Sequence, residues 1–253
     1  MIPIIGKHGG YRRTIAFGYV CLVYHATVRF CERNFSYKND PLGKTSGQMI
    51  GAARSARQNI VEGSSRAGTS KKTELGLYDV AKGSLEELAG DYEAFLIDRD
   101  LLPWASSDAE ATRLKALKID PYEGDIGENA RHDYAEYIRA MRQRFNPFLE
   151  AEDPIIAANS ILIAIDRACA LLTRLIDAVG EEFREAGGFT ERLSAARIER
   201  RDEQASSDED APKCPKCGKP MLKKIAKKGR NAGNPFWSCT GYPDCDGTRS
   251  FQG

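Results

Sequence analysis

Apolar residues recur every three or four positions through most of the chain, the spacing that lines one face of an α-helix. Four long helices are predicted, over residues 14–34, 46–62, 71–102 and 154–186. The clearest stripe consists of Tyr78, Ala81, Leu85, Leu88, Tyr92 and Phe95. A second stripe of the same spacing runs from Ile155 to Phe183. Such stripes on several long helices predict an all-α fold, an antiparallel four-helix bundle.

The ends of these helices are predicted from capping residues. Gly63 suits a left-handed cap that ends the second helix, and Ser70 is a candidate N-cap of the third. Asp153-Pro154 places a capping carboxylate before a proline at the first helical position of the fourth. Inside the third helix, Gly83 is expected to allow a neighbouring helix to approach closely.

The segment between the third and fourth helices is longer than an antiparallel connection needs, so residues 104–152 form a predicted helical insertion. It contains two candidate helices, near 107–118 and 129–145. After the bundle, Thr190 is a candidate cap of a short helix, and residues 199–212 are an expected solvated linker. The predicted domains are the bundle at 10–188, a short helix and acidic linker at 189–212, and a small C-terminal domain at 213–253.

Composition narrows the class of protein. With 42% hydrophobic residues the chain can bury a core, which excludes a wholly disordered protein. The apolar run Ile15–Tyr24 is too short to cross a membrane, and residues 1–13 lack a signal-peptide pattern. Cys21, Cys31 and Cys169 are scattered through helical segments, as expected of reduced core thiols. We therefore expect a cytoplasmic protein with no membrane partner.

Charge is distributed unevenly, although the net charge is only +1. Residues 213–253 carry nine Lys and Arg against two Asp, a net charge of +7, which leaves −6 on the rest of the chain. Within that acidic remainder, residues 44–72 carry +5. Such asymmetry is typical of proteins with a localised polyanion-binding surface.

Four cysteines in the tail have the spacing of a metal site. Cys214 and Cys217 are separated by two residues, and Cys239 and Cys245 by five. Zinc prefers four tetrahedral thiolates, and two cysteine-bearing turns joined by a hairpin can supply them. Disulfides or free thiols are the alternatives. We predict a structural Zn²⁺ site, because a segment this short folds poorly without metal.

The sequences CPKCGKPM and FWSCTGYPDCDGT, within residues 213–251, resemble the four-cysteine zinc ribbons of bacterial type IA topoisomerases. In those enzymes the ribbons bind single-stranded DNA without cutting it, so the resemblance implies nucleic-acid binding, and topoisomerase activity does not follow from it. Aromatic side chains can stack on bases, and cations can neutralise phosphates. In the alternative interpretation the aromatics form the ribbon core and the lysines keep it soluble. The candidate contacts in the ribbon are Lys223, Lys224, Lys227, Lys228, Arg230, Phe236, Trp237, Tyr242 and Arg249.

The basic segment 44–72 is a second candidate surface. It precedes an acidic segment, residues 74–110, which carries −8. The basic side chains are interpreted as pairing within the bundle, as contacts between subunits, or as a phosphate-binding face. Glu62 is expected to pair with Arg66 one helical turn later. The candidate nucleic-acid contacts are Arg54, Arg57, Arg66, Lys71 and Lys72.

The sequences QMIGAARSARQNIVEGSSR (48–66) and VAKGSLEELAGDYEAFL (80–96) resemble a second family. It comprises bacterial four-helix-bundle proteins encoded in intervening sequences of ribosomal RNA genes, and includes the accessory variability determinant of diversity-generating retroelements. The resemblance implies a homo-oligomer, commonly a ring-like pentamer, with a positive surface that binds nucleic acid. In the retroelement member, that surface also binds a reverse transcriptase. The insertion and the ribbon depart from the small members of this family.

No catalytic arrangement is evident. Gly43-Lys44-Thr45 resembles the end of a phosphate-binding loop, but Lys38 stands where that motif requires glycine. The sequence therefore predicts a non-enzymatic protein whose oligomeric bundle and zinc ribbon bind single-stranded DNA or RNA. An adaptor that docks on a polymerase or topoisomerase without touching nucleic acid is the alternative.

Overall fold

The computed structural model describes residues 10–186, 189–206 and 211–251. Among these residues the chain divides into two compact units, residues 10–186 and residues 189–251. The first unit opens with a 3-10 turn at Gly10–Arg13. Its helices are α1 (Ile15–Asn34), α2 (Lys44–Arg66), α3 (Lys71–Ile97), α4 (Ala109–Ala116), α5 (Ala130–Leu149) and α6 (Pro154–Ala186).

The four long helices α1, α2, α3 and α6 form the predicted bundle. Helix α1 packs against α2 and α6, and α3 packs against the same two helices. Short connections between α1 and α2 and between α2 and α3 make these neighbours antiparallel. The all-α bundle with a helical insertion is therefore confirmed.

The bundle core follows the predicted stripes. All six residues of the α3 stripe are buried. Tyr92 is fully buried: its hydroxyl donates to Thr27 Oγ1 at 3.0 Å, and its ring meets Phe30 edge-on at 5.0 Å between centroids. In α6 the buried stripe ends near Val179, because Phe183, predicted to belong to it, is 43% exposed.

Two predicted caps are present. Ser70 Oγ accepts a hydrogen bond from Thr73 N at 3.2 Å, at the start of α3. Asp153 Oδ1 accepts one from Ile155 N at 2.8 Å, before α6. In each case the side chain satisfies a backbone N–H that has no partner within the helix.

The predictions for two glycines are wrong. Gly63 does not end a helix: α2 continues to Arg66, and a Cβ at Gly63 would lie 2.9 Å from the ring of Tyr78 and 3.2 Å from Glu74 O. Gly83, expected at a close approach, has no neighbouring atom within 4 Å of its Cβ direction. Both glycines lie inside regular helices, so only packing between helices distinguishes them.

Matched alanine variants of these glycines test this difference. We expect Gly63→Ala to lower the free energy of unfolding by about 1–3 kcal/mol, because the buried Tyr78 ring cannot move aside. We expect Gly83→Ala to raise it by about 0.5–1 kcal/mol, since alanine favours the helix and meets no obstacle. Urea denaturation followed by circular dichroism measures both. Shifts of the same sign would contradict the assigned packing.

The insertion is anchored to the bundle by arginines. Helix α5 packs against α1 and α6, and α4 packs against α6. At the end of α4, the Arg167 guanidinium donates to Leu117 O at 2.7 Å and also to Lys115 O, supplying donors for terminal carbonyls that have no helical partner. At the other end of the insertion, the Arg33 guanidinium on α1 donates to Glu150 O, just after α5, at 2.8 Å. These contacts hold both helices of the insertion beside the bundle.

By length and composition alone, the helix that begins at Pro154 is long and apolar enough to cross a membrane. About half of its most apolar part is buried against the rest of the protein. The prediction of no span considered only the N-terminal run and missed this segment. A core helix of a soluble protein meets the same criteria, and α6 packs against α1 and α3.

The second unit consists of helix α7 (Phe189–Ser206) and three strands, β1 (Met221–Ile225), β2 (Pro235–Cys239) and β3 (Thr248–Ser250). The strands form an antiparallel sheet in the order β1-β2-β3. Thr190 lies inside α7 rather than capping it, and residues 199–206 are helical where a linker is predicted. Residues 207–210 of the predicted linker lie outside the described residues.

Candidate metal centre and nucleic-acid face

The sheet brings the two cysteine pairs together. Cys214 and Cys217 lie on the turn before β1, Cys239 ends β2, and Cys245 follows in the next loop. Strand register sets Met221 directly opposite Cys239, and Met221 is fully buried. The hairpin therefore carries the third cysteine back beside the first pair.

The cysteine-bearing turns aim backbone donors at sulfur. Lys216 N donates to Cys214 Sγ at 3.4 Å, and Gly241 N donates to Cys239 Sγ at 3.3 Å. Gly218 completes the first turn with φ +74°, a left-handed conformation that glycine adopts without strain. Backbone N–H groups placed in this way stabilise negative charge on thiolates.

The four sulfur atoms fit a tetrahedral metal ion. The Sγ atoms of Cys214, Cys217, Cys239 and Cys245 all lie within 4.8 Å of one another. Two of the separations are 3.8 Å, from Cys214 to Cys245, and 3.4 Å, from Cys217 to Cys239. A tetrahedral ion with Zn–S bonds of about 2.3 Å requires separations of about 3.8 Å. The arrangement is that of a structural zinc centre.

The thiol pKa values show why a cation belongs here. Burial acts to raise the pKa of Cys214, but backbone donors including Lys216 N outweigh it and lower the value to about 7. Burial raises the pKa of Cys239 to about 12. Four adjacent thiols do not all ionise unaided, because each thiolate repels the next. A divalent cation compensates that repulsion, and four protein ligands complete its shell.

Gly247 packs directly behind the sulfur cluster. A Cβ at this position would overlap Cys214 Sγ and would lie 3.5 Å from Cys245 Sγ. Gly247 O also accepts a hydrogen bond from Cys239 N at 2.9 Å. The absence of a side chain at residue 247 therefore lets the last loop close over the ligands.

Helix α7 packs on the ribbon through β1, a contact the sequence analysis did not anticipate. Arg201 donates to Tyr242 O at 2.7 Å. Burial and the nearby Arg201 lower the pKa of Lys224. The sequence signal for this packing consists of three apolar residues that are half-buried, Leu193, Ala196 and Ile198, but it is weak because they lie among charged residues. The ribbon unit thus begins well before its first cysteine.

The aromatic residues divide between core and surface. Trp237 is only 8% exposed and packs with Phe251 at 5.6 Å between ring centroids. It belongs to a small core with Met221 and Cys239, so the predicted use of Trp237 for stacking is corrected in favour of a structural role. Tyr242 is 52% exposed, and its ring is available to a ligand.

A concave surface on the ribbon, which we call the ribbon groove, collects several predicted contacts. Its cations are Lys228, Arg230 and Arg249, and its aromatic walls are Phe236 and Phe251. The groove has a volume of about 770 Å³, and none of its described lining residues is acidic. None of the three cations forms an ion pair with another described residue. Their charge therefore remains available for an anionic ligand.

The other three lysines predicted as ribbon contacts, Lys223, Lys224 and Lys227, lie outside this groove. Lys223 sits over the Phe251 ring at 3.8 Å, and Lys224 lies 6.0 Å from the Tyr242 ring. Lys227 is exposed. Phosphate binding by these three lysines stays a prediction.

The basic side chains of residues 44–72 differ in their partners and in their exposure. Lys71 is committed to ion pairs with Glu182 at 2.8 Å and Glu74 at 3.0 Å, and its side chain is 9% exposed, so its predicted role as a nucleic-acid contact is not supported. Arg66 lies 3.8 Å from Glu62, as predicted. Arg57 lies against the ring of Tyr24. Arg54, Arg66 and Lys72 are exposed, as is Lys44 at the start of the segment.

Fold and site together define a helical bundle joined to a four-cysteine zinc ribbon. Residues 211–253 match the family described as Topoisomerase DNA binding C4 zinc finger. No curated protein and no solved structure matched the chain. The family match covers the ribbon only, so the resemblance of the bundle to the ribosomal intervening-sequence family stays a prediction.

Proposed function

We propose that the protein is a non-catalytic, cytoplasmic nucleic-acid-binding protein whose zinc ribbon holds a single strand in the ribbon groove. The observation that carries this proposal is the groove itself, where three cations and two aromatic rings line one concave surface, with no acidic lining residue or ion-pair partner in the described part of the chain. Cations that neutralise phosphates beside rings that stack on bases are the usual composition of a single-strand site. The family of the ribbon, described as DNA binding, supports the same ligand.

Zinc contributes to this function by holding the groove in shape. The described core of the ribbon is small, with Cys214, Met221, Trp237 and Cys239 as its buried apolar members. Because Cys239 ends β2 and Cys245 lies just before β3, the metal ties together the two strands that line the groove. The ribbon cations then bind phosphates without a metal–substrate contact.

The bundle is proposed to assemble as a homo-oligomer, which would present several ribbons to one strand. Linked sites raise each other's effective concentration, so a weak ribbon contact becomes a strong overall one. A protein partner, such as a reverse transcriptase, is implied only by the resemblance of the bundle. No contact among the described residues favours the adaptor alternative over direct binding.

Salt dependence tests direct binding by the intact, zinc-loaded chain. With three phosphate contacts in the groove, the affinity for a labelled single-stranded oligonucleotide should fall about 20-fold between 50 and 200 mM salt. Fluorescence anisotropy with DNA, RNA and duplex probes gives the preferred nucleic acid. Absence of binding at 50 mM salt, or an affinity independent of salt, would contradict the proposal and favour the adaptor.

A further inference from the structure

The first unit contains a cleft that the proposed function does not use. It has a volume of about 900 Å³ and lies between the bundle and the insertion helix α5. The 3-10 turn, α1, α2 and α5 all contribute to its lining. Five arginines line this space, which we call the arginine cleft: Arg12, Arg57, Arg131, Arg139 and Arg142.

The positive charge of the arginine cleft is largely uncompensated. Glu62 is the only acidic residue that lines the cleft among the residues the structure describes, and it lies 3.8 Å from Arg66, which is not part of the lining. Arg142 is paired with Glu150 at 2.6 Å. The other four arginines form no ion pair with any described residue. Cations gathered in this way repel one another, and a bound anion relieves that repulsion.

Aromatic rings hold two of these guanidinium groups in place. Arg57 lies over Tyr24 with its Cζ 4.1 Å from the ring centroid. Arg12 lies 5.1 Å from the ring of Tyr11 and 5.6 Å from that of Tyr134. A guanidinium that rests on a ring keeps its N–H edge free for phosphate oxygens, and its ordered position lowers the entropy lost on binding.

The pKa of His25, which also lines the cleft, is lowered by burial and, in part, by these positive charges. Burial lowers the pKa of this half-buried imidazole, and Arg142 and Arg57 lower it further, as does Arg29 more weakly. Glu150 is the opposing charge among these neighbours. The imidazole is therefore neutral near pH 7, and an anion placed among the arginines would raise its pKa.

The floor of the cleft is apolar, in contrast to its cationic lining. Phe17, Val61, Tyr134 and Ile138 contribute to it. Guanidinium groups suit phosphate, whereas an apolar floor suits the flat, weakly polar ring of a base. Inorganic anions alone would leave this apolar surface unused.

We propose that the arginine cleft is a binding site for a nucleotide phosphate, supplied either by a free nucleotide or by a nucleic-acid strand. Three of its five arginines come from α5, which assigns a role to the insertion at residues 104–152. The cleft shares no lining residue with the ribbon groove, and the proposal does not depend on the function proposed for the ribbon.

The test uses the full, zinc-loaded chain with three probes: inorganic phosphate, adenosine monophosphate and a 12-nucleotide single strand. The cleft variant is Arg57→Gln with Arg139→Gln, and the control is Lys118→Gln with Arg174→Gln, which removes equal charge from exposed positions outside the lining. We expect the cleft variant to bind the nucleotide probe at least about tenfold more weakly, since charge-assisted hydrogen bonds are lost. The control should stay within about twofold. Isothermal titration calorimetry measures both.

The probes also identify the source of the phosphate. Loss of mononucleotide binding in the cleft variant indicates a free nucleotide, whereas loss confined to the 12-nucleotide probe indicates a strand. Equal affinities of variant and control for every probe would overturn the proposal. Arg139→Gln alone, at an exposed residue with no ion pair to another described residue, provides a second variant if the double variant fails to fold.

A local readout separates cleft binding from ribbon binding. Saturation with the nucleotide should raise the pKa of His25, which NMR of its ring protons measures. The Arg139→Gln variant should reduce that rise. An unchanged His25 pKa with ligand bound would overturn the assignment to the cleft. A variant with Lys228, Arg230 and Arg249 neutralised should keep the His25 response, so failure of the ribbon function and failure of the cleft are distinguishable.

Discussion

Replacing Cys239 by serine is expected to abolish stoichiometric zinc binding and unfold the ribbon while leaving the helical bundle intact. Cys239 is 1% exposed, supplies one of the four sulfur atoms and ends strand β2. A serine hydroxyl is a poor zinc ligand. Removing only a hydrogen-bond partner of a metal ligand lowers metal affinity by about 10- to 100-fold, so loss of the ligand itself should lower the zinc affinity by more than about 100-fold. Without metal, so small a core does not hold a sheet together.

Zinc content by atomic absorption and amide NMR signals of residues 211–251 measure this effect, and circular dichroism follows the helices. The matched control is Cys169→Ser, a half-buried thiol on α6, which should keep one zinc per chain. Melting of the bundle in the Cys239 variant would contradict its independence from the ribbon. Retention of zinc would contradict the four-sulfur site.

Neutralising the ribbon groove should have the largest effect on binding. With Lys228, Arg230 and Arg249 replaced by glutamine, we expect the affinity for a single strand at 50 mM salt to fall about 100-fold or more, because three counterion-releasing contacts are removed. The slope of log affinity against log salt should become shallower by about 2, at about 0.7 per lost contact. Fluorescence anisotropy over a salt series measures both quantities.

A control variant with the same change of charge distinguishes the effect of the groove cations on affinity from the effect of the ribbon's net charge. Lys213, Lys216 and Lys219 are exposed, flank the first cysteine turn and do not line the groove. Their replacement by glutamine, at unchanged zinc content, should cost much less affinity. Equal losses in the two triple variants would mean that binding depends on net charge, and the groove would no longer be the assigned site.

The sequence predicted most of the bundle because the information is local. Each buried residue of the α3 stripe lies three or four positions from the next, and the caps at Ser70 and Asp153 act within one helical turn. The same holds for the metal ligands, since the spacing of Cys214 and Cys217 already forms a turn that directs two sulfur atoms to one point. The predicted end of α2 was wrong because glycine is needed at residue 63 to make room for the Tyr78 ring of α3, not to end the helix.

The nucleic-acid contacts were less predictable, because side chains of one type have different surroundings. Lys71 and Lys72 are adjacent in sequence, yet Lys71 is paired with two glutamates and Lys72 is exposed. Trp237 and Tyr242 resemble each other as candidates for stacking, but Trp237 fills the ribbon core. Composition cannot separate these cases, since burial depends on which residues lie opposite across the sheet or the bundle.

The sequence by itself determined the helical class of the body and the zinc ribbon of the tail, since helix periodicity and ligand spacing act over a few residues. Tertiary structure alone decided which charges gather. Arg57 on α2 and Arg139 on α5 are far apart in sequence and line one cleft, because α5 packs against α1 and Arg33 of α1 donates to Glu150 O at its C-terminal end. The energy of like charges depends on their separation in space, which no local pattern records.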